Sequence, residues 1–211
     1  NVSFNTVTSS VGGVTNGTLN GIHIPASSNT PTGTFTNTIN NNTISLRSGV
    51  IAGAINGILF PSGSANATST LNINNNDFNT FGHTVAGTAA IVFITTSGTD
   101  FVKNINNNTF TNISVNTTGS VTFISHGASM IVNATHTISN NAIVTAFAKT
   151  GAGGTITGLT AGTSSVNGSN AIMTNNNFSN ITVTGATTII GITNNDGAGT
   201  SPNRVVTGNV F

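Results

Sequence analysis

The apolar residues of this chain come in short bursts that recur in a fixed order. An Ile, Met or Val stands three residues before an Asn at Ile39, Ile73, Ile105, Ile138, Met173 and Val206. An Ile or Phe stands two residues after the same Asn, giving the pairs Asn42/Ile44, Asn76/Phe78, Asn108/Phe110, Asn141/Ile143, Asn176/Phe178 and Asn209/Phe211. A third burst separates the pairs: GIHI from Gly21, GILF from Gly57, IVFI from Ile91, VTFI from Val121, TITGL from Thr155 and IIGI from Ile189. Successive Asn anchors lie 34, 32, 33, 35 and 33 residues apart. Self-similarity at a period of that size marks a repeat architecture.

The bursts are built from Thr, Val, Ile and Phe and are punctuated by Gly and Asn, which is strand-and-turn chemistry. Helical repeats of similar period need Ala, Leu, Glu and Lys at 3.6-residue spacing, and Leu, Glu and Lys are scarce here. Three short strands per period predict an all-β fold: a parallel β-helix, or β-solenoid, of about six coils of roughly 33 residues, spanning 1–211 as a single domain. The crossover rule for parallel strands predicts a right-handed coil.

The repeat resembles the right-handed parallel β-helix proteins of the pectin-lyase-like superfamily, whose coils often read G-I-x-I-x-x-N-x-F-x-N. The match runs over nearly the whole chain. It implies the fold; the superfamily's catalytic acids and arginines have no matching positions here to carry over.

In such a stack, residues at one repeat position lie about 4.8 Å above one another, close enough for identical amides to hydrogen-bond as a ladder. Asn42, Asn76, Asn108, Asn141, Asn176 and Asn209 are therefore expected to form a structural ladder, with Asn also tolerating the left-handed backbone of a tight bend. Ile44, Phe78, Phe110, Ile143, Phe178 and Phe211 are expected to point inward and stack.

Charge changes the functional picture. Four Lys+Arg and three Asp+Glu make 3% charged residues, so Asn, Thr, Ser and Gly must supply the hydrophilic surface. Arg47, Lys103, Lys149 and Arg204 are too sparse for a phosphate-tracking groove, and neither Trp nor Tyr is present to stack bases, which argues against nucleic-acid binding. Without cysteine there are no disulfides, thiolate metal sites or thiol nucleophiles. No apolar run of about 18 residues suggests a membrane span, and Asn1 does not open a signal peptide.

Asp77, Asp100 and Asp196 are the only carboxylates, and the repeat arithmetic scatters them over loops or turns as solvated residues. His23, His83, His126 and His136 fall at unlike repeat positions and are expected on exposed or strand-face sites. Ser125-His126 lacks a companion acid for a triad, and GAGG from Gly151 lacks the Lys-Ser/Thr of a phosphate loop. No catalytic, cofactor-binding or metal site is therefore expected. Thr-x-Thr at Thr36, Thr68, Thr135, Thr155 and Thr182 keeps an ice-binding solenoid open as an alternative, and a β-helix carbohydrate-active enzyme or tailspike fragment is another.

The ends of the chain suggest continuity. Asn209-Val210-Phe211 followed by Asn1-Val2-Ser3-Phe4 has the same pattern as Asn141 to Phe147, and the next anchor interval would be 44 residues, with an insertion around Pro25 to Thr36. The expectation is one unit of a longer tandem or end-to-end stacked array, with an axial repeat of roughly 29 Å from six coils at about 4.8 Å each. The predicted role is a non-catalytic structural and adhesive repeat unit of an extracellular or cell-surface filament. Its first partner is a copy of itself, with surface glycans or other cells as further candidates.

Overall fold

The computed structural model describes residues 1–9, 17–25, 33–49, 52–61, 68–83, 85–127, 129–162, 166–195 and 202–211. Over these residues the chain is a parallel β-solenoid without helix, built on three main sheets that the chain visits in turn. The first face carries seven strands: Val2–Ser3, Phe35–Asn40, Ser69–Asn74, Val102–Asn106, Thr135–Ser139, Asn170–Thr174 and Asn203–Thr207. The second carries six: Leu19–His23, Ile55–Phe60, Ile91–Thr96, Val121–His126, Thr155–Ala161 and Thr188–Asn194. The third runs through Thr6–Thr8, Thr43–Ser45, Asp77–Asn79, Thr109–Thr111 and Ala142–Ile143, and single bridges extend it to Asn177 and Val210. Between the third and second faces short extra strands pair in some coils, among them Ser114–Val115, Phe147–Lys149 and Ile181–Val183.

Every pairing is parallel and in register, so each repeat position becomes a column. Ile39, Ile73, Ile105, Ile138 and Met173 form one buried column on the first face. Ile44, Phe78, Phe110, Ile143 and Phe178 form another on the third. Phe78 and Phe110 stack with ring centroids 5.3 Å apart and planes 16° from parallel. Phe93 and Phe123 do the same from the second face at 5.1 Å and 14°.

The second face buries two consecutive residues in mid-strand, and their column reads Gly21, Gly57, Phe93, Phe123, Gly158, Gly191. Opposite Phe78 and Phe178 this column holds glycine: a Cβ on Gly57 would lie 2.5 Å from Phe78, and one on Gly158 2.7 Å from Phe178, whereas Phe110 meets the rings of Phe93 and Phe123 at 5.1 and 4.8 Å. Large residues on one face thus answer small ones on the other, which is how a narrow core reaches native density.

Candidate functional site

The corner after the first face is made by Asn, and consecutive asparagines do different work there. Asn41, Asn75, Asn107, Asn140 and Asn175 have φ between 55° and 57°, the left-handed conformation that turns the chain. The preceding residues point outward, where the Oδ1 of Asn40 accepts from the Asn74 main-chain N–H at 2.8 Å and that of Asn74 from Asn106 at 2.9 Å. The following residues, Asn42, Asn76, Asn108, Asn141 and Asn176, are buried.

The buried amides bond in one direction. Asn42 Nδ2 donates to Asn76 Oδ1 at 2.8 Å, Asn76 to Asn108 at 2.9 Å, Asn108 to Asn141 and Asn141 to Asn176 at 2.8 Å each, and Asn176 to Asn209 at 2.9 Å. The second Nδ2 hydrogen returns to a main-chain carbonyl one coil back, such as Ile39 for Asn76 and Ile73 for Asn108. Each Oδ1 also accepts the main-chain N–H of the preceding anchor. Two donors and two acceptors are thereby satisfied on every interior amide, which removes the cost of burying it.

The ladder has a seventh member that the repeat pattern does not flag. Asn5 donates from Nδ2 to Asn42 Oδ1 at 3.0 Å, and Phe4, with φ 60° and its side chain exposed, occupies the left-handed position that Asn fills elsewhere. Val2 and Ser3 pair with Ile39 and Asn40 on the first face. This corrects the alignment of Asn1–Phe4 with the strand ending at Phe147. Read across a direct join of Phe211 to Asn1, anchors Asn209 and Asn5 would stand seven residues apart, far short of the 32 to 37 between anchors within the chain.

A second polar assembly lies where the second face ends and the first begins. Thr96 and His126 are register partners at the end of adjacent second-face strands, and Lys103 and His136 are partners on the first. All four are buried. His126 Nε2 is 3.0 Å from His136 Nδ1, His136 Nε2 is 2.7 Å from the Asp100 main-chain oxygen, and Lys103 Nζ donates to the Gly98 carbonyl at 2.7 Å. His126 Nδ1 faces Thr96 Oγ1 at 3.1 Å and Lys103 Nζ at 3.4 Å. Burial pulls Lys103 down to about 7 against the opposing pull of Asp100. Burial, reinforced by Lys103, pushes His136 down to about 3 and His126 well below its usual value.

These positions overturn one expectation: Asp100 is buried rather than solvated. His23 is exposed, and His83, His126 and His136 sit on strands and are buried, His83 Nε2 lying 3.3 Å from the Gly53 carbonyl. Residues ten apart in sequence meet because the chain leaves one face and enters the next at a single corner. Lys149 is buried as well, donating to the carbonyls of Gly151 and Gly153, so GAGG cradles a cation rather than an anion. Asp77 is half-buried and accepts from Thr109 and Thr111 at 3.0 and 2.7 Å, and Asp196 lies outside the described residues. Ser125 is only half-buried while its neighbour His126 points inward. The Thr-x-Thr pairs divide among sheets: Thr36 and Thr135 start pairs on the first face, Thr155 on the second and Thr182 on a short one. Among the described residues no group of three His, Asp or Glu side chains converges as a metal-ligand set, and no helix is long and apolar enough to cross a membrane.

At the last coils the columns that are buried elsewhere open to solvent. Ile189 continues the column of Ile55 and Ile91 and is 49% exposed; Val206 continues that of Ile39 and is 45% exposed; Phe211 stacks on Phe178 at 6.1 Å and is 52% exposed. Val2, Val7 and Leu19 hold the matching positions at the other end and are half-buried. Comparison with protein-family models, with curated proteins and with solved structures returns no match for this chain.

Proposed function

We propose that the chain is a non-catalytic structural and adhesive segment of an extracellular or cell-surface filament whose units continue one another head to tail. The observation that carries this reading is the polarity of the ladder. Each anchor donates toward the C-terminal coil, so the series starts at the Oδ1 acceptor of Asn5 and finishes at the Nδ2 donor of Asn209. One end complements the other, while like ends do not.

A second copy placed in the same register sets Val206 over Val2, Asn209 over Asn5 and Phe211 over Val7, extending the same columns. The Asn- and Thr-rich outer faces, with few charges, suit a long inert rod. Electron microscopy of the native assembly tests the reading. Seven strands per unit at about 4.8 Å each give an expected axial repeat of about 34 Å. Compact, capped particles that never elongate would overturn it.

A further inference from the structure

The buried corner of Thr96, Lys103, His126 and His136 has a feature that packing does not require: its hydrogen bonds run in a single direction. A main-chain carbonyl only accepts, so the 2.7 Å contact to Asp100 O places the proton of His136 on Nε2. The Nδ1 of that neutral ring is then an acceptor, and its partner at 3.0 Å, His126 Nε2, must carry a proton. His126 Nδ1 is left bare to accept from Thr96 Oγ1 and from Lys103 Nζ. One carbonyl thus fixes both tautomers.

The two imidazoles have no place for another proton. Added at His136 Nδ1, it meets the N–H of His126. If His126 reverses its tautomer to receive that bond, its own N–H turns toward the Lys103 amine. The charged or titratable groups at the corner are Asp100, Lys103, His126 and His136; the register neighbours are Leu71 and Ala171 on the first face and Phe60 and Ala161 on the second, none of which can absorb a charge. The outer wall is the loop carrying the Gly98 and Asp100 carbonyls. Beside it Phe101, Met130, Ile131, Ala134 and Ala171 form a small apolar cluster separate from the main core.

We propose that this corner is an acid-sensitive latch: it holds segments 97–101 and 129–134 against the solenoid while both imidazoles are neutral and releases them when the pair takes a proton. The direction follows from linkage. The folded histidines sit far below their unfolded value of about 6.5, so the unfolded or opened chain binds more protons below that pH. The stabilisation is complete above about pH 6.5 and is lost progressively as the pH falls toward 3. Release uncovers Phe101, Met130 and Ile131 in mid-rod and leaves the Asn ladder, on another corner, closed.

Amide hydrogen exchange on the whole chain at pH 7.5 and 4.5, corrected for intrinsic rates, tests the latch. Two pH units below the unfolded value, each histidine can shift the opening equilibrium by up to about 100-fold. The expected result is a loss of protection of at least about tenfold in 97–103 and 129–136, with 105–110 unchanged. The double variant His126→Gln with His136→Gln should lose this acid dependence. Equal wild-type protection at both pH values, or an equal acid response in the variant, would overturn the proposal. Should the double variant not fold, imidazole NMR of the wild type decides: two neutral Nε2–H rings down to pH 5 support the latch, and a ring that titrates near 6.5 while the segments stay protected refutes it.

Discussion

At the scale of the residue, neighbouring asparagines illustrate how one side chain serves different ends. Asn106 bonds along the outer surface, Asn107 supplies a left-handed bend and Asn108 fills the buried ladder. Asn108→Leu is expected to destabilise by about 2–4 kcal/mol, because it removes the acceptor of Asn76 Nδ2 and of the Asn76 main-chain N–H and leaves both buried. Asn116→Leu, at a half-buried position outside the strands, should change stability by no more than about 0.5 kcal/mol. Denaturant midpoints compare the two, and equal shifts would remove the ladder from the energetics. The ladder column could be read from the sequence because its spacing recurs. Asn5 could not, because Phe4 stands where Asn marks the other bends and its distance to Asn42 is 37 residues.

At the scale of the element, what decides packing is how the faces answer one another. Apolar bursts on each face are visible as periodic sequence, so the strands and their inward columns were legible. The matching of Gly57 to Phe78 and of Gly158 to Phe178 was not, since it joins residues about 20 apart on different faces. The polar corner was hidden for a related reason. Thr96 and His126 share one repeat position and Lys103 and His136 another, and only the passage from the second face to the first brings the two pairs together. Gly57→Ala tests face matching. Its Cβ would lie 2.5 Å from both Phe78 Cε1 and the Phe93 carbonyl oxygen, so a cost of about 1–3 kcal/mol is expected. Gly127→Ala has nothing within 4 Å of the new atom and should stay within about 0.5 kcal/mol. A thermal-melt comparison in which the two variants coincide would mean that the core yields easily.

At the scale of the whole molecule, a solenoid's interior is a set of continuous columns, and a column has no intrinsic stopping point. Capping is supplied by polar outer faces in terminal repeats, because an open strand edge invites further pairing. Here the last strand on the first face, Asn203–Thr207, presents Val206 and an open edge, and the first strand, Val2–Ser3, presents the matching position. Val206→Lys probes the consequence. In a single chain the half-exposed site lets a lysine run its stem along the apolar end and keep its ammonium in water, so the fold and its melting behaviour should survive. Between stacked units the same ammonium would be enclosed against Val2 without a counter-charge, and association should weaken by at least about 100-fold. Sedimentation of wild type and variant over a range of concentrations reads this directly. Rods of unchanged length in the variant would place the contact between units somewhere other than the ends of these columns.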